Sequence, residues 1–242
     1  MFPHSLLEKA RDENLVLLDH AEQEFDEEGN PAGVFGQHFV GWDPAIASDA
    51  NADYTAMTVL RVLPGSEEKQ LVHVINQKGL SGAAQKRNIL LLNNRFQPDL
   101  IELEGNNFQR MFAAELQEMR DDIPIKTFMT TRQRKESMFM SLLMAFEQGK
   151  MKTPWGDERS KEFTRELEKQ LSRFGMKKDG KLESVGSHDD LAMSIALANW
   201  ATKEFRGSVM LLDDDLPGFD KWFLDSPSQG ASRMTGDDWF VA

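Results

Sequence analysis

The chain has 242 residues, of which 40% are hydrophobic, enough for one large domain or two small ones with a sizeable core. It has no cysteine, which excludes a disulfide scaffold and thiolate metal sites, and it has no apolar run of membrane-spanning length and no visible signal peptide, so a soluble intracellular protein is expected. The net charge of −12 argues against a uniformly basic nucleic-acid binder, yet residues 36–206 carry 24 charges of each sign, so the excess lies wholly in the two ends.

Residues 1–35 hold nine acidic and two basic residues. Positions 5–28 read as a polar helical pattern ending in the turn cluster "EEGNPAG", a connector rather than a core element. "GQHFVGWDPA" reads as a buried strand stopped by Pro44, "YTAMTVLRVLPG" as a β-branched strand ended by Pro-Gly, and "KQLVHVINQKG" as a third. Short turns make these three an antiparallel meander. The pattern then alternates: helix "GAAQKRNILLLNNRF", strand "PDLIELEG", helix "NFQRMFAAELQEMRDD", strand "PIKTFMT", helix "KESMFMSLLMAFEQGK". That order predicts an α/β fold, a mixed sheet of three antiparallel strands followed by parallel ones, with helices on both faces. A charged amphipathic helix, "KEFTRELEKQLSRF", and a hairpin with Asp-Gly at its turn, "MKKDGKLES", lead to a last apolar helix. Residues 126–181 contain 14 basic and eight acidic residues, a lobe that suits phosphate binding and equally a solvated helical surface. Residues 207–242 are acidic and rich in Pro, Gly and Ser, the composition of a flexible tail. The expected organisation is therefore a connector over 1–35, a domain over 36–206 and a tail over 207–242.

The last helix opens on two adjacent aspartates, Asp189 and Asp190, in "SHDDLAMSIALANW". Capping explains one of them: Ser187 as N-cap, with Asp190 at the third helical position. Two further acids stand at comparable places. Asp43 ends the first apolar strand, where an ionised carboxylate is disfavoured unless paired, although a turn-starting Asp before Pro44 is common. Glu104 ends "LIELE"; Glu102 shares its face, and a solvated edge strand would account for it. Open sheets place ligands at the carboxyl ends of their strands. Carboxylates gathered there repel one another unless a cation holds them, and oxygen ligands without a His/Cys set favour Mg²⁺ or Mn²⁺. Two such ions clamp the attacking and leaving oxygens of an in-line phosphodiester displacement.

Four segments carry a family resemblance: "GWDPAIASDANADYTAMTVL", "PDLIELEGNNFQRMFAAEL", "KESMFMSLLMAFEQGKMKTP" and "SHDDLAMSIALA". In this order and spacing, over residues 36–206, they resemble the nuclease domain of tailed-phage large terminase subunits. The resemblance implies an RNase H-like fold and a two-metal endonuclease that cuts concatemeric double-stranded DNA during genome packaging. Carried over by position, Asp43, Glu104 and one or both of Asp189 and Asp190 are metal ligands, with Asp43 bridging two Mg²⁺ or Mn²⁺ ions. Asp53 matches a supporting acid, and His188 stands next to the pair, where a metal or proton role competes with that of an exposed helix-start histidine. Lys177, Lys178 and Lys181 of the hairpin would contact the DNA backbone, and Lys126, Arg132, Arg134 and Lys135 would bind phosphates without reading sequence.

There are departures from the family pattern. Met193 stands where another acid is frequent, and Lys135 is followed by Glu136 and Ser137 rather than by an arginine. No G-x-x-x-x-G-K-[ST] is present, so the packaging ATPase of full-length subunits is missing from this stretch. The implied setting is the host cytoplasm, with the portal and the small terminase subunit as partners in the motor and no membrane. Two other readings fit the residues: a junction resolvase or transposase-type nuclease of the same fold, and a non-enzymatic docking module.

Overall fold

The sequence dictates two long buried strands first. In a computed structural model, β4 (Gln37–Asp43) and β5 (Tyr54–Val62) pair antiparallel, and β5 pairs antiparallel with β6 (Lys69–Lys78). The structure describes residues 1–45, 54–105, 107–176, 182–184 and 189–210. Helix α2 (Gly82–Phe96) follows, capped by Ser81, then β7 (Leu100–Glu104), helix α3 (Asn107–Met119) and β8 (Ile125–Phe128). Strands β7 and β8 add parallel to the other edge of β4. This is the expected meander-then-parallel order.

Helix α4 (Arg132–Glu147) is capped by Thr131 and leads to β9 (Met151–Pro154), a short strand that the sequence pattern does not predict. It lies parallel to β6. Helix α5 (Glu158–Ser172) is capped by Asp157; β10 (Phe174–Met176) and β11 (Leu182–Ser184) form the expected hairpin; and α6 (Asp190–Met210) closes the described chain. The main sheet has seven strands, including β1 (Arg11–Asp12), in the order β1-β9-β6-β5-β4-β7-β8.

The expectation of one polar helix over 5–28 does not hold. Helix α1 covers only His4–Glu8; β1 then pairs parallel with β9, and β2 (Gln23–Phe25) and β3 (Pro31–Val34) form a separate hairpin. The reason is packing. Phe2, Leu7, Ala10 and Leu17 join the core on one face of the sheet, and Leu15 and Ala21 join the core on the other. The segment thus wraps the sheet edge, and Arg11 locks it there with two bonds to Glu168 of α5 (2.8 and 2.7 Å).

Strand alternation sorts the faces. Val40, Trp42, Ile101 and Leu103 pack with residues of α2 and α3. Phe39, Leu100 and the positions in phase with them turn toward α6, which is buried around its whole first half. Gly41 makes the close approach possible: a Cβ there would overlap the Ser194 carbonyl and lie 2.5 Å from Ala198 N. Met1–Gly207 form one compact unit and Ser208–Ala242 a second, of which residues 208–210 are described. The expected tail, from 211 on, lies outside the described residues. Among those residues no helix is long and apolar enough to cross a membrane.

Candidate metal centre

Asp43 is the last residue of β4, in the middle of the sheet, and is 9% exposed. Its carboxyl is held well above the usual carboxylate range, first by burial and then by Glu104, which also shares a hydrogen bond with it. Asp190 and Asp189 push in the same direction. Four acids from three elements, far apart in sequence, therefore act on one point at the carboxyl ends of β4 and β7. Thr130, just beyond β8, donates to Glu104 Oε1 at 2.9 Å. Lys135, in the first turn of α4, stands 3.5 Å from Asp189 Oδ2, its ammonium 5.8 Å from the Phe174 ring. Among the described residues, no three carboxylates or imidazoles are arranged as a ready-made ligand set; the acids pair with one another, with Thr130 and with Lys135.

The aspartate pair does not play the capping-box role. Helix α6 begins at Asp190, so Asp190 is its first residue rather than its third. Asp189 is the N-cap by position, its carbonyl accepting from Met193 N at 2.8 Å. The amides that an N-cap side chain would satisfy, Leu191 N and Ala192 N, donate instead to Gln170 Oε1 of α5, at 3.0 and 3.2 Å. Met193, at the position of the missing acid, is buried in the core.

Other expected residues fall in different places. Glu102 is not on a solvated edge: it is 1% exposed, between β4 and β8, and its carboxyl is pushed up to about 8 by burial and then by Glu204, with Lys126 and Arg134 pulling the other way. Arg134, its side chain partly exposed, lies over the Phe128 ring (4.4 Å) and 3.8 Å from Glu204, and the more exposed Arg132 pairs with Glu136 at 3.0 Å. Lys126 is exposed. Asp53, Lys177, Lys178, Lys181 and His188 lie outside the described residues.

Sequence reasoning missed Gln170 and Thr130. A signal existed for Gln170, a polar amide inside the apolar stripe Phe163, Leu167, Leu171 and Phe174. Thr130 carried none, since its role arises only where β8 ends beside Glu104.

Comparison with known proteins accords with this fold. Residues 40–199 match the family model described as the terminase RNaseH-like domain. No curated protein sequence matches the chain. Among solved structures, the large terminase nuclease of thermophilic phage G20c, with bound magnesium, is similar at 16% identity over 81% of this chain and 95% of that one, with a TM-score of 0.55. A mutant nuclease domain of the large terminase subunit gp2 of bacterial virus Sf6, with manganese and beta-thujaplicinol, is similar at 12% identity over 82% and 97%, with a TM-score of 0.56. The HK97 bacteriophage large terminase is similar at 10% identity over 81% of this chain but only 42% of its own length, with a TM-score of 0.51. The fold is thus RNase H-like, and with two thirds of its length matched by the family model, the chain belongs to the terminase RNaseH-like domain family.

Proposed function

We propose that this chain is the nuclease part of a phage large terminase subunit, an endonuclease that hydrolyses phosphodiester bonds of concatemeric double-stranded DNA with two Mg²⁺ or Mn²⁺ ions. The observation that carries the reading is the convergence of four acids from three elements: Asp43 at the end of β4, Glu104 at the end of β7, and Asp189 and Asp190 at the start of α6, all close enough to act on the Asp43 carboxyl. Oxygen donors alone, crowded and short of positive charge, fit a hard divalent cation. The magnesium and manganese in the similar nuclease structures support the same choice.

Asp43, Glu104 and one or both of Asp189 and Asp190 would hold the ions, which supply Lewis-acid polarisation and neutralise charge developing at the phosphodiester. The protein's own part is positional. Thr130 orients Glu104, and Lys135 sets a cation beside Asp189. Strand β4 presents Asp43 from the rigid middle of the sheet. Arg132 and Lys126, exposed near this end of the sheet, would meet backbone phosphates, which carry no base information. The portal, the small terminase subunit and a host-cytoplasmic setting belong to the same proposal.

The test is cleavage of supercoiled plasmid and linear duplex by the purified chain with Mn²⁺ and with chelator, alongside Mn²⁺-dependent thermal stabilisation. Cleavage and a rise in Tm, both only with metal, are expected, because a ligand that binds the folded state alone must stabilise it. Absence of both would refute the proposal.

A further inference from the structure

Aspartate is among the best N-cap residues because its carboxylate accepts the orphan amides of the first turn. Asp189 occupies that position in α6, and its carbonyl already takes the first helical hydrogen bond, from Met193. Left to itself, its carboxylate would turn back onto Leu191 N and Ala192 N and be lost to anything else. That does not happen. Both amides are taken by one oxygen, Oε1 of Gln170, which is 3% exposed. The amide of the same side chain donates to Glu166 Oε1 at 3.2 Å, one turn back along α5, so its orientation is set from behind. Packing completes the fixture, since Leu167 and Leu171 of α5 lie in the same core as Leu191 and Ala192. The Asp189 carboxylate faces Lys135 instead, and both aspartates act on Asp43.

A neutral cap matters here. A carboxylate could satisfy the same amides, but it would add another negative charge beside four acids. Gln170 satisfies them without adding charge.

We propose that Gln170 is a positioning residue: by capping α6 from a neighbouring helix, it relieves Asp189 of the capping role and leaves its carboxylate on the side of Lys135 and Asp43, where a divalent cation would sit. The inference rests on the nuclease reading above and assigns to this side chain a part in the metal affinity of that site.

The test is calorimetric titration of Mn²⁺ into the full 242-residue chain, as wild type, Gln170→Leu and Gln170→Glu, with plasmid cleavage followed over the same Mn²⁺ range. Gln170→Leu is expected to weaken Mn²⁺ binding by about 10- to 100-fold, the usual cost of losing a group that orients a ligand. Half-maximal cleavage should move to higher Mn²⁺ by the same factor, with the rate at saturating Mn²⁺ retained. Gln170→Glu keeps an acceptor for both amides but loses the donor to Glu166 and adds a charge, so it should bind Mn²⁺ less tightly than wild type and more tightly than Gln170→Leu. If Gln170→Leu lowers the metal-free Tm but leaves Mn²⁺ affinity unchanged, Gln170 is merely structural and the proposal is overturned. It is also overturned if the glutamate variant binds as weakly as the leucine one. Gln170→Ala gives the same comparison where Gln170→Leu does not fold. A wild-type chain that neither binds Mn²⁺ nor cuts DNA refutes the nuclease reading itself, a result distinct from a wild type that binds while the leucine variant binds equally well.

Discussion

The Ser194 hydroxyl donates to the Gly41 carbonyl at 2.9 Å, and this bond sets where α6 meets the strand that carries Asp43. Four helical residues rise about 6 Å, and two strand residues advance about 6.6 Å. A helix running against β4 and anchored at Ser194 therefore brings Asp190 over Asp43. The anchor depends on Gly41 having no side chain. Gly41→Ala is expected to cost at least about 2 kcal/mol, because the clash is with helix backbone that cannot rotate away. It should also weaken Mn²⁺ binding by lifting Asp190 from the sheet. Chemical denaturation and metal titration check this. Unchanged stability would mean that α6 is not held where it is described.

Asp43→Asn should separate function from folding. The change removes the acid on which the other three act, so Mn²⁺-dependent cleavage and Mn²⁺-dependent stabilisation should both vanish. The metal-free protein should become more stable at neutral pH. The sign follows from linkage: the wild-type carboxyl is raised in the folded state, so the unfolded chain releases its proton first and stability falls as pH rises above the ordinary aspartate range. Asparagine has no such loss. Thermal melts at pH 4 and pH 8 with chelator measure it. A variant that still nicks plasmid at the wild-type rate removes Asp43 from the mechanism.

Much of this arrangement is legible in the sequence, for a physical reason. Strands β4, β5 and β6 are seven to ten residues long with clear apolar patterns. An acid ending such a strand, as Asp43 and Glu104 do, stands out against them. Strands β1 and β9, of two and four residues, are too short to carry a period. The first 21 residues mislead because their acids mask the apolar side chains that wrap the sheet edge. Glu102 misleads for the opposite reason: α6, which brings Glu204 toward it, comes from about a hundred positions later. Gln170 and Thr130 act through hydrogen bonds that exist only after folding.

Arg132 and Arg134 are two residues apart, and their surroundings predict opposite behaviour. Arg132 lies at the surface with an i,i+4 partner, Glu136. Arg132→Ala should leave stability nearly unchanged and reduce the slope of log affinity for DNA against log salt by about one, the signature of one phosphate that the protein no longer neutralises. Arg134 stacks on Phe128 and faces Glu204 and Glu102. Arg134→Ala should instead lower stability by about 1 kcal/mol, because Phe128 loses its cover and Glu204 its counter-charge, with little change in salt slope. Titrations of duplex DNA at several salt concentrations, paired with thermal melts, distinguish the two. A salt slope that drops for Arg134→Ala without loss of stability would make Arg134 a DNA-binding residue.

Glu102 offers the sharpest pH test away from the proposed metal ligands. Its carboxyl is raised to about 8 from an ordinary 4.5, mainly because it is buried between neighbouring strands. Below pH 4.5 the side chain is protonated in both folded and unfolded states and costs nothing. Between 4.5 and about 8 the unfolded chain gives up the proton while the folded chain keeps it, so stability falls steadily with rising pH; above about 8 the loss is complete. A gap of this width corresponds to a loss on the order of 3–5 kcal/mol. Glu102→Gln removes the proton equilibrium while keeping the shape. The variant should match wild type at pH 4, gain on it through neutrality and exceed it most near pH 9, in metal-free denaturation curves. Lys126→Ala and Arg134→Ala, which remove the charges opposing the rise, should each carry the decline on to higher pH and enlarge the total loss. Parallel curves for wild type and Glu102→Gln across this range would show that Glu102 ionises normally and lies in contact with water.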